Sequence, residues 1–219
     1  RSRYDNHVID VAKEKGSSSW LTCRPLKKYH FNLTKGEFWD GLCLRYGWTP
    51  ARVPSHCSCG QEATVAHSLS CPYGGFPSIR HNGIRDVTAR LLDEVCTSVS
   101  IEPLLQPLTG ERLRYRTANV EDRARLDVAA NGLWGSRFER TLIDIRVFNP
   151  HSRSNRSAPH TIVYQRHEKE KRRHYEERVR QVEQASFVPA VMSASGGMGP
   201  ASTALYKRIA HLLAEKRGE

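Results

Sequence analysis

No apolar stretch in the 219-residue chain approaches the roughly 20 residues needed to cross a bilayer. Nothing near Arg1 has the basic-then-apolar order of a secretory signal. Together these absences lead to the expectation of a soluble, intracellular protein. Cysteine is also scarce, and six residues in 219 are too few for a disulfide scaffold. There is no internal repeat and no long low-complexity tract, so a repeat array is not expected. Acidic residues fall short of basic ones, 23 against 34, for a formal charge of +11. That excess favours a polyanionic partner through phosphate contacts and counterion release, without naming the partner. The first residue is not Met, and an excised domain or processed product is the expectation.

An apolar content of 38% is adequate for one core or two unequal domains. Thr34 followed by Glu37 fits a capping box, and Phe38, Leu42 and Tyr46 then recur at helical spacing. A short buried helix is predicted over 35–47, ended by Pro50 and Pro54. The turn-forming Tyr73-Gly74-Gly75 closes a Cys/His-bearing segment, with a domain boundary expected near residue 78. Over 81–100, Ile84, Val87, Leu91, Leu92 and Val95 mark one helical face. Strands are predicted over 101–105, 124–130 and 141–148, then a charged helix over 164–184 and a short strand over 187–192. After the loop 196–200, Leu205, Ile209, Leu212 and Leu213 define a last amphipathic helix. The order from residue 81 is α-β-β-β-α-β-α, an α+β arrangement.

A turn centred on Gly135-Ser136 would place Asp127 directly opposite Asp144. Each aspartate takes the parity opposite to its strand's main apolar row, so the two carboxylates would share a face. Opposed residues have Cβ atoms about 4.5–5.5 Å apart, where two ionised carboxylates repel unless one protonates or a cation bridges them. Mg²⁺ or Mn²⁺ held there gives a Lewis acid and a positioned nucleophile, the chemistry of phosphodiester hydrolysis. The rival turn at Asn131-Gly132 is a stronger local hairpin signal and would put Asp127 opposite Ser136. The bland account makes them unrelated aspartates paired with arginines such as Arg125 and Arg146. In the charged helix, the apolar stripe Tyr175, Val179, Val182 continues back to Lys171, which should face the sheet; Lys169 lies off it. Its functional reading is an ammonium that stabilises the phosphate or orients the attacking water, and its bland reading is a solvated charge.

Cys57, Cys59, His67 and Cys71 supply four ligands, enough for a tetrahedral structural Zn²⁺ site in a segment too small to hold a core. The Cys-x-Cys step is tighter than usual, and His56 or His81 could replace one ligand. Cys23, Cys43 and Cys96 read as packed or free thiols. Arg153, Arg156, Arg166, Arg172, Arg173, Arg178 and Arg180 concentrate positive charge around the charged helix, on a solvated face or positioned for backbone phosphates. The glycines at 196, 197 and 199 could accept a phosphate at a helix N-terminus, though a tight β-to-α loop is the commoner use.

The aspartate pair and lysine set in α-β-β-β-α-β resemble the restriction-endonuclease-like PD-(D/E)XK superfamily. Two departures stand out: Leu126 occupies the usual proline position, and Arg146 the usual lysine position. An arginine is not a base, so the lysine role would fall to Lys171. Residues 55–180, with Cys57-Ser58-Cys59, His67, Cys71, Arg80-His81-Asn82, Arg125-Leu126-Asp127, Asp144 and Lys171 through Tyr175, resemble the C-terminal module of non-LTR retrotransposons. That resemblance implies a helical region over 1–54 following an upstream reverse transcriptase, a CCHC zinc knuckle over 55–78 and a restriction-like endonuclease over 79–219. It implies Asp127, Asp144 and Lys171 as catalytic residues that nick DNA with Mg²⁺ or Mn²⁺. Arg80, Arg125, Arg146, Arg172 and Arg173 would be nucleic-acid contacts, in the nucleus, with RNA as a partner left open. A non-catalytic nucleic-acid-binding module and a structural remnant are the alternatives.

Overall fold

The computed structural model describes residues 3–27, 31–115 and 123–218. Four helices come first: α1 (Arg3–Lys13), α2 (Ser19–Thr22), α3 (Lys35–Tyr46) and α4 (Val65–Ser68). Then follow α5 (Phe76–Asp93), β1 (Thr97–Ile101), β2 (Val128–Asn131), β3 (Arg140–Phe148), α6 (His160–Gln181), β4 (Ser186–Ser193) and α7 (Pro200–Arg217). No helix among these residues is long and apolar enough to cross a membrane.

Contacts divide the chain into two units. The first holds residues 1–79, 147–160 and 193–198; the second holds 80–146, 161–192 and 199–219. The expected boundary at residue 78 lies beside this division, but two later segments, 147–160 and 193–198, belong with the first unit and not with the second. Hydrogen bonds explain that membership. Asn149 donates to the Ala66 carbonyl and to Ser70 Oγ, both at 2.9 Å, and His7 Nε2 lies 3.0 Å from the Pro150 oxygen. Gly196 approaches Gly16 so closely that a Cβ on Gly16 would sit 2.9 Å from the Gly196 oxygen.

In the first unit, α3 begins with the full capping box: Thr34 accepts from the Glu37 N–H, and Glu37 from the Thr34 N–H. It ends on Gly47 in the left-handed region, φ 70°. The stripe expected to be buried is not. Phe38 and Tyr46 are 44% and 54% exposed, and Cys43 is the helix's buried residue. Spacing shows which side chains share a face, and only packing decides whether that face is covered. Phe38 instead meets Trp20 edge-on, and Tyr46 stacks on Trp48.

In the second unit the described strands form one four-stranded sheet ordered β1-β2-β3-β4. β1 pairs antiparallel with β2, and β2 with β3. The strand expected over 101–105 starts earlier, at Thr97, and its distal part continues as an irregular ribbon. Leu105 N–H donates to the Ala124 carbonyl and Glu102 N–H to that of Asp127, with an isolated bridge at Leu104 and Arg125. Positive φ at Ser98 and Glu102 marks the irregularity. Leu142 and Ala129 cluster with Leu105, Ala124, Leu126 and with Val179 of α6, and Tyr175 and Phe187 pack against them. The helix expected over 81–100 begins earlier and ends sooner, as α5. Its buried residues are Thr88, Ala89 and Leu92, whereas Val87 is exposed. Thr88 Oγ1 hydrogen-bonds Tyr206 of α7 at 2.6 Å, which moves the packed face away from Val87.

Candidate active site and metal centre

The β2–β3 ladder decides between the two turns. Val128 pairs with Ile143 and Asn131 with Arg140, and Gly132 N–H donates to Glu139 one step further. Asn131-Gly132 is therefore not the hairpin turn, and Gly135-Ser136 sits mid-loop in a longer connection. Extending the register by one residue puts Asp127 opposite Asp144. Period-two alternation places both on the face of Leu142, which α6 covers.

Lys171 of α6 reaches this face. Its Nζ lies 2.8 Å from Asp144 Oδ2 and 5.6 Å from the centre of the Tyr175 ring. The stripe Lys171, Tyr175, Val179 thus runs from an ion pair at one end to a fully buried valine at the other. Asp127 Oδ2 accepts the Ile145 N–H at 2.5 Å and faces His81 Nε2 at 3.3 Å. Among the described residues Arg125 and Arg146 pair with glutamates and not with Asp127 or Asp144: Glu102 at 3.5 Å and Glu170 at 2.8 Å.

The two carboxylates are electrostatically unequal. Burial pushes the Asp144 carboxyl up to about 6, and Asp127 within hydrogen-bonding reach adds to the rise, although Lys171 opposes it. Burial also raises Asp127, but the hydrogen bonds from His81 and the Ile145 N–H outweigh it and hold that group below its ordinary value. His81 is raised in turn, first by its hydrogen bond to Asp127 and against burial. The two carboxyls therefore titrate as a coupled pair, with Asp144 at the higher value.

The proposed phosphate contacts sit in different settings. Arg80 is half-buried, and burial lowers its pKa. Arg172 pairs with Glu176 at 2.6 Å. Arg173 is exposed and lies 5.0 Å over the Tyr115 ring, with Arg114 5.5 Å over the same ring. Arg114 and Tyr115 were missed by sequence reasoning because they fall outside every periodic run, and only the fold brings them to α6. Arg178 does not belong to the basic surface: it is 1% exposed and donates to the Gln106 carbonyl at 2.6 Å. The N-terminus of α7 is not open to a phosphate either, since Ala201 N–H already donates to Glu168 Oε1 at 3.0 Å.

In the first unit Cys57, Cys59, His67 and Cys71 bring their ligand atoms within 4.8 Å of one another, a group that could bind a metal such as zinc. Cys57 Sγ lies 3.7 Å from Cys71 Sγ, and Cys59 Sγ 3.3 Å from His67 Nε2. Tetrahedral Zn²⁺ with bonds of about 2.3 Å to sulfur and 2.0–2.1 Å to nitrogen needs edges of about 3.5–3.8 Å. Local structure sets this up. Cys57 N–H donates to the Gln61 carbonyl across the tight turn at Gly60 (φ 84°), and Thr64 caps α4, which carries His67. The Cys59 N–H, then His67, draw the Cys57 thiol down to about 6, a thiolate ready for a metal. His81 is not a substitute ligand, because it stands at Asp127. Cys43 is buried, Cys96 partly buried and Cys23 exposed, all as free thiols.

Neither the family models nor the curated proteins with which the chain was compared contain a match.

Proposed function

We propose that the chain is a Mg²⁺- or Mn²⁺-dependent DNA endonuclease of the restriction-like kind, carrying a zinc knuckle and acting alongside a reverse transcriptase. The observation that carries this reading is the convergence of Asp127, Asp144 and Lys171 on one face of the sheet, with Lys171 2.8 Å from Asp144. Asp127 and Asp144 would hold the cation, which supplies Lewis acidity and a bound water of lowered pKa. Lys171 places a fixed positive charge beside the carboxylates, where negative charge grows on the phosphate during in-line displacement. Tyr175 shields one side of that ammonium. The exposed Arg173, with Arg114, offers backbone-phosphate contacts that carry no sequence information.

Supercoiled and branched DNA incubated with Mg²⁺ or Mn²⁺ is expected to be nicked, and Asp127→Ala or Asp144→Ala to abolish the nicking. Absence of metal-dependent cutting on every substrate overturns the reading. If binding that weakens steeply with salt persists in that case, the +11 charge and the zinc knuckle favour a non-catalytic nucleic-acid-binding module.

A further inference from the structure

Of the two oxygens of Asp127, one is already committed. Oδ2 accepts the Ile145 N–H at 2.5 Å and lies 3.3 Å from His81 Nε2. The same Nε2 lies 3.2 Å from the Ile145 carbonyl oxygen. One residue of β3 thus brackets the pair, its N–H holding the carboxylate and its C=O holding the imidazole. Both oxygens lie within reach of Nε2, so an imidazole protonated there can donate to either. At Asp144 the engaged oxygen is also Oδ2, taken by Lys171. Each aspartate is thus gripped at Oδ2, and whether the two carboxylates can share a cation depends on how firmly each is held. A carboxylate's terminal torsion is broad and needs outside partners to fix it.

We propose that His81 is a positioning residue for this site: its Nε2–H locks the Asp127 carboxylate in the orientation that lets Asp127 and Asp144 share one divalent cation. The inference rests on the nuclease reading for its catalytic consequence, but not for its metal-binding consequence. A histidine serving only the fold would need the Ile145 carbonyl alone, whereas this one shares its donor with the acid. Groups that orient metal ligands in this way are worth about 10–100-fold in metal affinity or activity.

The test uses the full chain with its zinc site saturated. Mn²⁺ binding is followed by electron paramagnetic resonance, and nicking of supercoiled plasmid by gel, for the parent, His81→Leu, His81→Gln and Asp127→Ala. His81→Leu is expected to raise the half-saturating Mn²⁺ concentration about 10–100-fold, with most of the rate recovered at saturating metal. His81→Gln keeps an N–H near the Nε2 position and is expected to lie close to the parent. Equal Mn²⁺ dependence of His81→Leu and the parent overturns the proposal, as does equal damage in the Leu and Gln variants, which would mark a purely structural role. If the parent binds Mn²⁺ but does not cut, the nuclease reading fails alone and the binding comparison still decides the role of His81. Mn²⁺ binding indifferent to Asp127→Ala overturns the site and this inference with it.

Discussion

Lys171 and Lys169 carry the same charge two residues apart on α6, yet their surroundings differ. Lys171 is half-buried against Asp144 and Tyr175, and Lys169 is exposed. Either change to Met removes one positive charge from the same helix, so any difference between them is local. Lys171→Met is expected to lower the nicking rate about 10²–10³-fold, the usual cost of one preorganised electrostatic contact. Lys169→Met is expected to stay within about twofold in physiological salt, where exposed charges are screened. Single-turnover plasmid nicking at saturating Mg²⁺ distinguishes the two. The placing of Lys171 was legible because an apolar stripe in a charged helix leaves few faces for the sheet. His81 was not legible as a neighbour of Asp127, since 46 residues separate them and no short-range pattern links α5 to the start of β2.

At the scale of elements, local chemistry and tertiary packing each decided something. The capping box at Thr34 formed as its spacing implied, because it uses backbone groups within four residues. Thr34→Ala is expected to destabilise the first unit by about 1 kcal/mol, read as a shift in its urea midpoint. Leu142 lies fully buried where β3 meets Val179, so Leu142→Ala should cost the second unit about 2–5 kcal/mol in the same measurement. The hairpin between β2 and β3 went the other way. Asn131-Gly132 is the stronger turn signal, yet the ladder runs past it to Gly132 and Glu139. Leu133 explains the override: its side chain is fully buried and its carbonyl accepts from Arg208 of α7 at 2.8 Å, so the chain is drawn inward there. The pair of half-exposed Arg140 with buried Glu183 likewise had no local signature; Glu183 also accepts the Gln106 N–H.

Across the molecule, the first unit carries both the Cys/His group that could bind a metal and a buried histidine, His151. Three of the four tryptophans, Trp20, Trp39 and Trp48, lie in it. Chelation of zinc is therefore expected to change tryptophan emission and lower the melting temperature of this unit, because a segment as small as 55–78 cannot hold a core by itself. Unchanged emission and melting in excess chelator would contradict a structural metal. Burial, together with the neighbouring His7 and His160, drives the His151 imidazole down to about 4 from its ordinary 6.5. A depressed histidine binds fewer protons folded than unfolded, so its contribution is intact above about pH 6.5 and is lost as pH falls towards 4. The first unit should lose stability across that window in urea titrations, and His151→Asn should flatten the dependence.

By itself the sequence determined the features set by short-range geometry. These include the α-β-β-β-α-β-α order, the capping box, the compact spacing of Cys57, Cys59, His67 and Cys71, and the parity that puts Asp127 and Asp144 on one face. Helical and strand periods, backbone capping and the reach of a chelate all act over a few residues, so they survive reading along the chain. Tertiary structure alone decided which helix face is covered, as the exposed Phe38 and Tyr46 of α3 show. It also decided which later segments join the first unit, which aspartate is driven up by burial, and that His81 meets Asp127. Those outcomes depend on desolvation and on contacts between distant residues, which arise only when the elements pack.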